Sequence, residues 1–249
     1  MQIKFHKWLV PLIISVLILA GCASLSANND ASSTDAPTNA STTITASDLN
    51  NELPRLEGKA TVVMVVNGSP ITIELDGANA PVTAGNFLDL VRRGVYDGLA
   101  FHRVVREPQP FVVQGGDPQS KDPNFPAARL GTGGFIDPDT SSQRYIPLEI
   151  KPQGSEEPLY SQTLDRAGGN KSPILQHTRG AVAMARSNVP DSASSQFYFA
   201  LTDLPFLDGS YAVFGYVTQG MDVVDGIQQG DRIESATIVE GLDNLKNIE

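Results

Sequence analysis

Residues 60–75 read ATVVMVVNGSPITIEL, and this stretch decides the fold class. Residues 60–67 are a β-branched run, Gly68-Ser69-Pro70 is turn chemistry, and Ile71-Thr72-Ile73-Glu74-Leu75 alternates apolar with polar. Two such runs joined by a tight turn predict a β-hairpin with one buried face. Downstream, Pro81 opens a helical pattern with Phe87, Leu90 and Val91 on one face, and Gly94 ends it. Short strand patterns follow at 111–114, 180–185, 196–200 and 212–217. A second short helix is predicted near 221–227 and a last strand around 235–239. Many strands, frequent Gly and Pro turns and two helices predict a mainly β domain, a barrel or a sandwich.

Working back from the hairpin, folded character begins near Leu56. Residues 23–50 are almost entirely Ser, Thr, Ala, Asn and Asp, with Leu25, Ile44 and Leu49 as their large apolar residues. Such a stretch buries too little surface to offset its ordering entropy. It reads as a tether with an r.m.s. reach of roughly 25–30 Å. The first residues, MQIKFHKWLVPLIISVLILAGC, place Lys4 and Lys7 before a short apolar run from Trp8 to Ala20. That is signal-peptide architecture, too short for a comfortable membrane span. The chain therefore divides into a leader at 1–21, a tether at 22–55 and a domain at 56–249 with a long excursion around 118–178.

The chain carries 28 acidic against 18 basic residues, a net charge of −10. This balance excludes nucleic acid as a partner, since phosphates demand a basic surface. Cys22 is the one cysteine, so the domain is held by its core and not by disulfides. No motif calls for a metal or an organic cofactor. The glycine-rich 131–134 stretch lacks the Lys-Ser/Thr and the strand–loop–helix setting of a phosphate loop; it reads as backbone shaping.

Five segments carry the chemistry: FHRVV (101–105), FVVQGGD (111–117), GTGG (131–134), AMAR (183–186) running on to SSQFY (194–198), and FLDG (206–209) with YAVFG (211–215). In this order they resemble the cyclophilin family of prolyl isomerases, over about residues 58–241. Each segment alone is weak. Taken singly, Arg103 would be a surface arginine and each aromatic a core residue.

The resemblance implies a closed eight-stranded antiparallel barrel with a helix covering each end. It implies catalysis by Arg103, with Gln114 orienting it and Phe111 in the slot that takes the proline ring. It places Val112, Tyr198 and Leu207 in that slot, with Gln196, Phe206 and Tyr211 also in the substrate site, and gives Ala185 and Arg186 the substrate backbone. Gln196 and Tyr198 stand two apart on one strand and face one side, with Phe197 directed into the core. His102 reads as structural because bond rotation transfers no proton, and Asp117 and Asp208 read as turn residues beside glycines.

The sequence departs from the family pattern in several places. Phe206 stands where many members have Trp, Tyr211 where they have His, and Val112 where they have Met. Tyr198 stands for Phe and brings a hydroxyl to the pocket edge. The loop between Arg103 and Phe111 is longer than usual. The segments GFIDPDT, IPLEI and PLYSQTL within 118–178 look like cyclophilin domains of photosynthetic lumenal proteins. The ending Leu19-Ala20-Gly21-Cys22 resembles the lipobox of bacterial lipoproteins, in which the cysteine is acylated and becomes residue one. Ala23 after it favours the outer membrane, facing the periplasm, in a Gram-negative cell. The expected function is isomerisation of Xaa-Pro bonds in exported or envelope proteins, by a monomer bound to the bilayer through Cys22. The alternative from another class is a tethered module that binds a Pro-containing segment and catalyses little. A carbohydrate-binding sandwich ranks last.

Overall fold

The structure is a computed structural model; it describes residues 53–169 and 171–247. The leader, Cys22 and most of the tether lie outside the described residues. Strands β1 (Arg55–Leu56), β2 (Lys59–Val66) and β3 (Ser69–Asp76) lead into helix α1 (Pro81–Arg92). Then come β4 (Arg103–Val105), β5 (Val112–Gly115) and two small hairpins, β6 (Ile136–Asp137) with β7 (Ser142–Gln143) and β8 (Glu149–Ile150) with β9 (Leu159–Tyr160). Strands β10 (Ala181–Met184), β11 (Phe197–Ala200) and β12 (Val213–Gln219) follow, with helix α2 (Met221–Gly226), β13 (Ile233–Glu240) and β14 (Leu245–Lys246). Among the described residues no helix is long and apolar enough to cross a membrane.

The β2–β3 hairpin forms as its alternation predicts. Val66 pairs Ser69 at the turn, and Ala60, Val62, Met64, Val66, Ile71, Ile73 and Leu75 all point inward. Asn67 and Gly68 both adopt positive φ, the geometry that a two-residue hairpin turn needs. Eight strands join in the order β13-β2-β3-β12-β10-β11-β5-β4, antiparallel throughout.

The sheet curls but does not close, which corrects the expected closed barrel. The end strands β13 and β4 do not pair. The seam is bridged ahead of β4 and at the very start of β13, where Gly98 N donates to Ile233 O at 2.7 Å and Phe101 N to Asp231 O at 2.8 Å. These contacts end at Phe101. The chain then passes His102 and begins β4, whose three residues pair with β5 alone.

Helix α1 is also more deeply buried than a single apolar face predicts: Pro81 to Val91 are all buried, Thr83, Asn86 and Asp89 among them. The 118–178 segment accounts for Thr83 and Asp89, while Asn86 Nδ2 donates to Ser194 O at 2.8 Å. At the helix start, where Ala80 offers no side-chain cap, buried Glu149 accepts from Val82 N (3.1 Å), Thr83 N (2.7 Å) and the Thr83 hydroxyl (2.7 Å). A carboxylate there also meets the positive end of the helix dipole. Burial pushes the Glu149 pKa up, and the bonds from Thr83, Val82 and Tyr160 offset part of that rise. Toward the helix end Arg144 reaches Asp89 at 2.7 Å, joining Arg92 and Arg93 around it. Burial alone would raise the Asp89 pKa; these guanidiniums more than offset it and hold it low. The excursion thus holds both ends of α1.

Strand β11 shows how the core and the site share one element. Phe197 and Phe199 join Phe87, Tyr96, Phe101 and Phe214 in the main core, with ring centroids 4.9–6.4 Å apart. Tyr198 and Ala200 face the other way, into a smaller cluster with Val112, Ala181, Ala183, Leu204 and Val213.

Candidate functional site

The site is built on the outward side of that strand. Register pairs Arg103 with Gln114, Gln114 with Tyr198, and Tyr198 with Ala183, so one row crosses four strands on a single face. The next row places Val105, Val112 and Ala200 beside it. The covering segment from Pro205 to Tyr211 closes the far side, and a cavity of about 250 Å³ remains. Its walls are Arg103, Phe111, Val112, Gln114, Ala185, Arg186, Tyr198, Leu207 and Tyr211.

Two of the predicted site residues, Gln196 and Phe206, do not line this cavity. Gln196 lines a second cavity of about 390 Å³ with the 131–133 glycine loop, Gln143, Tyr145 and Ser187. Phe206 is 69% exposed on the rim, stacked on Phe111 at 6.0 Å and 18°. It stands outside the slot because the short turn Pro205–Leu207 directs Leu207 inward instead.

A chain of amides aims the arginine. The Arg103 Nη1 donates to Gln114 Oε1 (3.3 Å), Gln114 Nε2 to Gln196 Oε1 (3.1 Å), and Gln196 Nε2 to Gly133 O (2.7 Å). Each link fixes the next amide's orientation, so the guanidinium is held over the Phe111 ring, 5.5 Å from its centroid. The glycine loop at the end of the chain is itself held by buried Asp117, whose Oδ2 accepts from Gly131 N (2.6 Å) and Gly133 N (3.2 Å). A side chain at Gly133 would collide with that carboxylate. Asp117 is thus more than a turn residue. It shapes the second cavity.

The Ala185 N–H is used by Gln196 O at 2.9 Å, while Ala185 C=O and Arg186 N–H have no partner among the described residues. An extended peptide can take both. The Arg186 side chain is fixed by Nε and Nη2 on Ser210 O (3.0 and 2.6 Å), Nη1 on Ser187 O (2.7 Å) and the Tyr211 ring at 4.6 Å.

Tyr198 does not offer its hydroxyl to the pocket edge. The oxygen lies 3.0 Å from His177 Nε2, and His177 Nδ1 lies 2.8 Å from Asp208 Oδ1. Since the carboxylate can only accept, Nδ1 carries the proton, and Nε2 accepts from the tyrosine. Burial lowers the His177 pKa, with Asp208 offsetting part of the drop, and burial pushes the Tyr198 phenol well up. His177 and Tyr198 thus both stay neutral near neutral pH. His177 was not singled out from sequence and Asp208 was read as a turn residue; they lie 21 and 10 positions from Tyr198 with no motif joining them.

Among the described residues neither buried ring nitrogen of His102 has a hydrogen-bond partner, and burial lowers its pKa. It packs beside Gly131, in keeping with a structural part. Among the described residues no group of three or more His, Cys, Asp or Glu side chains could hold a metal ion.

Residues 61–248 match the family described as cyclophilin type peptidyl-prolyl cis-trans isomerase/CLD. The chain belongs to that family. It is 42% identical over 205 residues to a Synechocystis protein named as a thylakoid lumen peptidyl-prolyl cis-trans isomerase, covering 78% of this chain and 51% of the relative. It is 42% identical over 213 residues to the chloroplastic isomerase CYP38 of Arabidopsis thaliana, covering 78% and 46%. A Brucella suis protein named as a peptidyl-prolyl cis-trans isomerase is 37% identical over 180 residues, covering 72% and 76%. The chain thus spans about half the length of the first two. Among solved structures, a cyclophilin-type isomerase of Cryptosporidium parvum superposes with a TM-score of 0.54 at 23% identity, covering 73% of this chain and 98% of that one. This likeness establishes the fold: mainly β with two helices.

Proposed function

We propose that this cyclophilin domain catalyses cis–trans isomerisation of Xaa-Pro bonds in exported polypeptides, tethered to a membrane through acylated Cys22. The observation that carries the first part is a guanidinium, fixed by the Gln114–Gln196–Gly133 chain, on the wall of an apolar slot. Rotation about the Xaa-Pro bond must break C–N resonance, a barrier of ~18–20 kcal/mol, and uncatalysed exchange takes tens to hundreds of seconds. As the amide twists, its nitrogen regains a lone pair. Arg103, charged at any working pH, donates to that lone pair, which the planar amide lacks; preference for the twisted state is what lowers the barrier. Val112, Phe111, Leu207 and Tyr198 hold the ring, while Ala185 O and Arg186 N–H hold the chain, so the bond turns against a fixed frame.

The test is exchange NMR on a short Xaa-Pro peptide. Line broadening at catalytic protein concentration supports the isomerase. Binding without added exchange supports the Pro-segment binding module instead.

The anchoring part rests on Lys4, Lys7, the apolar run and Leu19-Ala20-Gly21-Cys22. Relatives named for the thylakoid lumen and the chloroplast support an exported chain. One acyl chain gives only marginal membrane binding and two give stable anchoring. Labelled fatty acid should enter the wild type and not Cys22→Ser, which should fractionate differently. Equal fractionation with no label in either would reject the anchor.

A further inference from the structure

Arg103 and Arg186 both face the proline slot, and neither is ion-paired with a carboxylate among the described residues. Elsewhere Arg92, Arg93, Arg144 and Arg179 have carboxylate partners, while Arg106 and Arg232 hold backbone carbonyls. Among the described residues no Asp or Glu lines the slot or the second cavity beside it. In a chain with 28 acidic and 18 basic residues, the groove carries cations alone.

Arg186 is the better placed of the two to read a substrate's side chains. It lies on the wall common to both cavities, with Gln114 and Ala185. Every partner of its side chain is neutral: two backbone carbonyls and a tyrosine ring. Of the five guanidinium N–H donors, the three bonds to Ser210 O and Ser187 O leave two unused. The side chain is held in place, so little rotamer freedom remains to be lost when a ligand pairs with it.

We propose that Arg186 determines specificity, making the site favour Xaa-Pro segments with an Asp or Glu within two residues of the proline. This rests on the slot taking the proline ring, as set out above. An extended chain advances roughly 3.3–3.6 Å per residue. A peptide with its ring in the slot and its backbone on Ala185 O and Arg186 N–H therefore carries its adjoining side chains past the Arg186 head group. The protein's overall negative charge does not cancel this attraction. At physiological salt the Debye length is about 8 Å, so distant carboxylates are screened while a guanidinium in contact is not.

The experiment uses matched peptides with Glu or Gln at each of the two positions on either side of proline. Exchange NMR reads kcat/KM, and the same titrations read Kd. A partly exposed ion pair corresponds to a factor of roughly two to five. The wild type should favour Glu over Gln by that factor at one position at least, with the ratio shrinking toward one at high salt. Arg186→Gln should abolish the ratio and Arg186→Lys should keep most of it. Each ratio is taken within one variant, so a general loss of activity does not mimic the result. Equal handling of Glu and Gln at all four positions overturns the proposal, as does a ratio that survives in Arg186→Gln. If the peptides bind but none is exchanged, the isomerase reading fails and the Glu-to-Gln ratio in Kd still decides this one. A chain that neither binds nor exchanges any of them overturns both.

Discussion

Replacing Arg103 by alanine removes the guanidinium while leaving the slot's apolar walls in place, because the side chain is exposed and its one hydrogen bond, to Gln114, is 3.3 Å long. The free protein should therefore lose little stability. The cost appears during rotation, when the amide nitrogen becomes an acceptor and a bound peptide shields the pair from water. A charge-assisted hydrogen bond contributes roughly 1.5–3 kcal/mol. If all of it acts in the transition state, kcat/KM falls by about 10- to 150-fold. Peptide Kd should change little, since the planar amide offers its nitrogen no comparable bond. Arg103→Lys should recover little, an ammonium being unable to reproduce the planar fork on Gln114 and amide together. Gln114→Ala should cost less than Arg103→Ala, because it releases the guanidinium without removing it. Exchange NMR on one Xaa-Pro peptide reads both constants in a single titration. An Arg103→Ala protein that binds and turns over like wild type would refute the mechanism, leaving the groove as a binding module.

Tyr198→Phe should keep most turnover, since the hydroxyl is bonded to His177 and not directed at substrate, but should cost about 1–3 kcal/mol of stability by leaving buried His177 Nε2 without its donor. Denaturant titration beside the kinetics checks both halves. Burial holds His102 and His177 below the ordinary imidazole range. The unfolded chain then binds protons more readily, so stability is full above about pH 6.5 and falls as pH drops through that value. A denaturation midpoint that rises between about pH 6.5 and 5 would contradict this, while turnover itself should be nearly flat between about pH 6 and 8 because no proton moves. Glu149→Ala should cost about 2–4 kcal/mol by stranding the Val82 and Thr83 N–H groups, without altering kcat of the folded fraction. A loss under about 1 kcal/mol in urea would show that the excursion does not cap α1.

How much of this was legible in the sequence depends on the range of the contact that carries it. The β2–β3 hairpin has a period of two, so its buried face follows from neighbours a few residues apart. Its turn, however, falls at Asn67-Gly68, one residue before the predicted Gly68-Ser69-Pro70, because Ser69 and Pro70 already pair with Val66 and Val65. The row of Arg103, Gln114 and Tyr198 joins three strands, yet each sits within a short motif, and the motifs in order carried the family and hence the row. Where a contact crosses the chain without a motif, nothing local announces it. Glu149 sits 67 residues from the Val82 N–H it caps, in a run, IPLEI, that carries no helix-cap signal. The polar residues Thr83, Asn86 and Asp89 look like the solvated side of α1 until Glu149, the Ser194 carbonyl and Arg144 bond to them. The unclosed sheet was hidden for a related reason: whether β4 meets β13 depends on the backbone bonds that 98–101 makes with 230–233, ahead of β4 and at the first residue of β13. Tyr198 is the clearest instance within the site. Its substitution for Phe was visible, but the consequence required His177 and Asp208, which only the folded chain brings to it. That arrangement turns a hydroxyl that would have been a stray donor in an apolar slot into a bolt on the slot's floor, and leaves Arg103 and Arg186 as the charged groups on its walls.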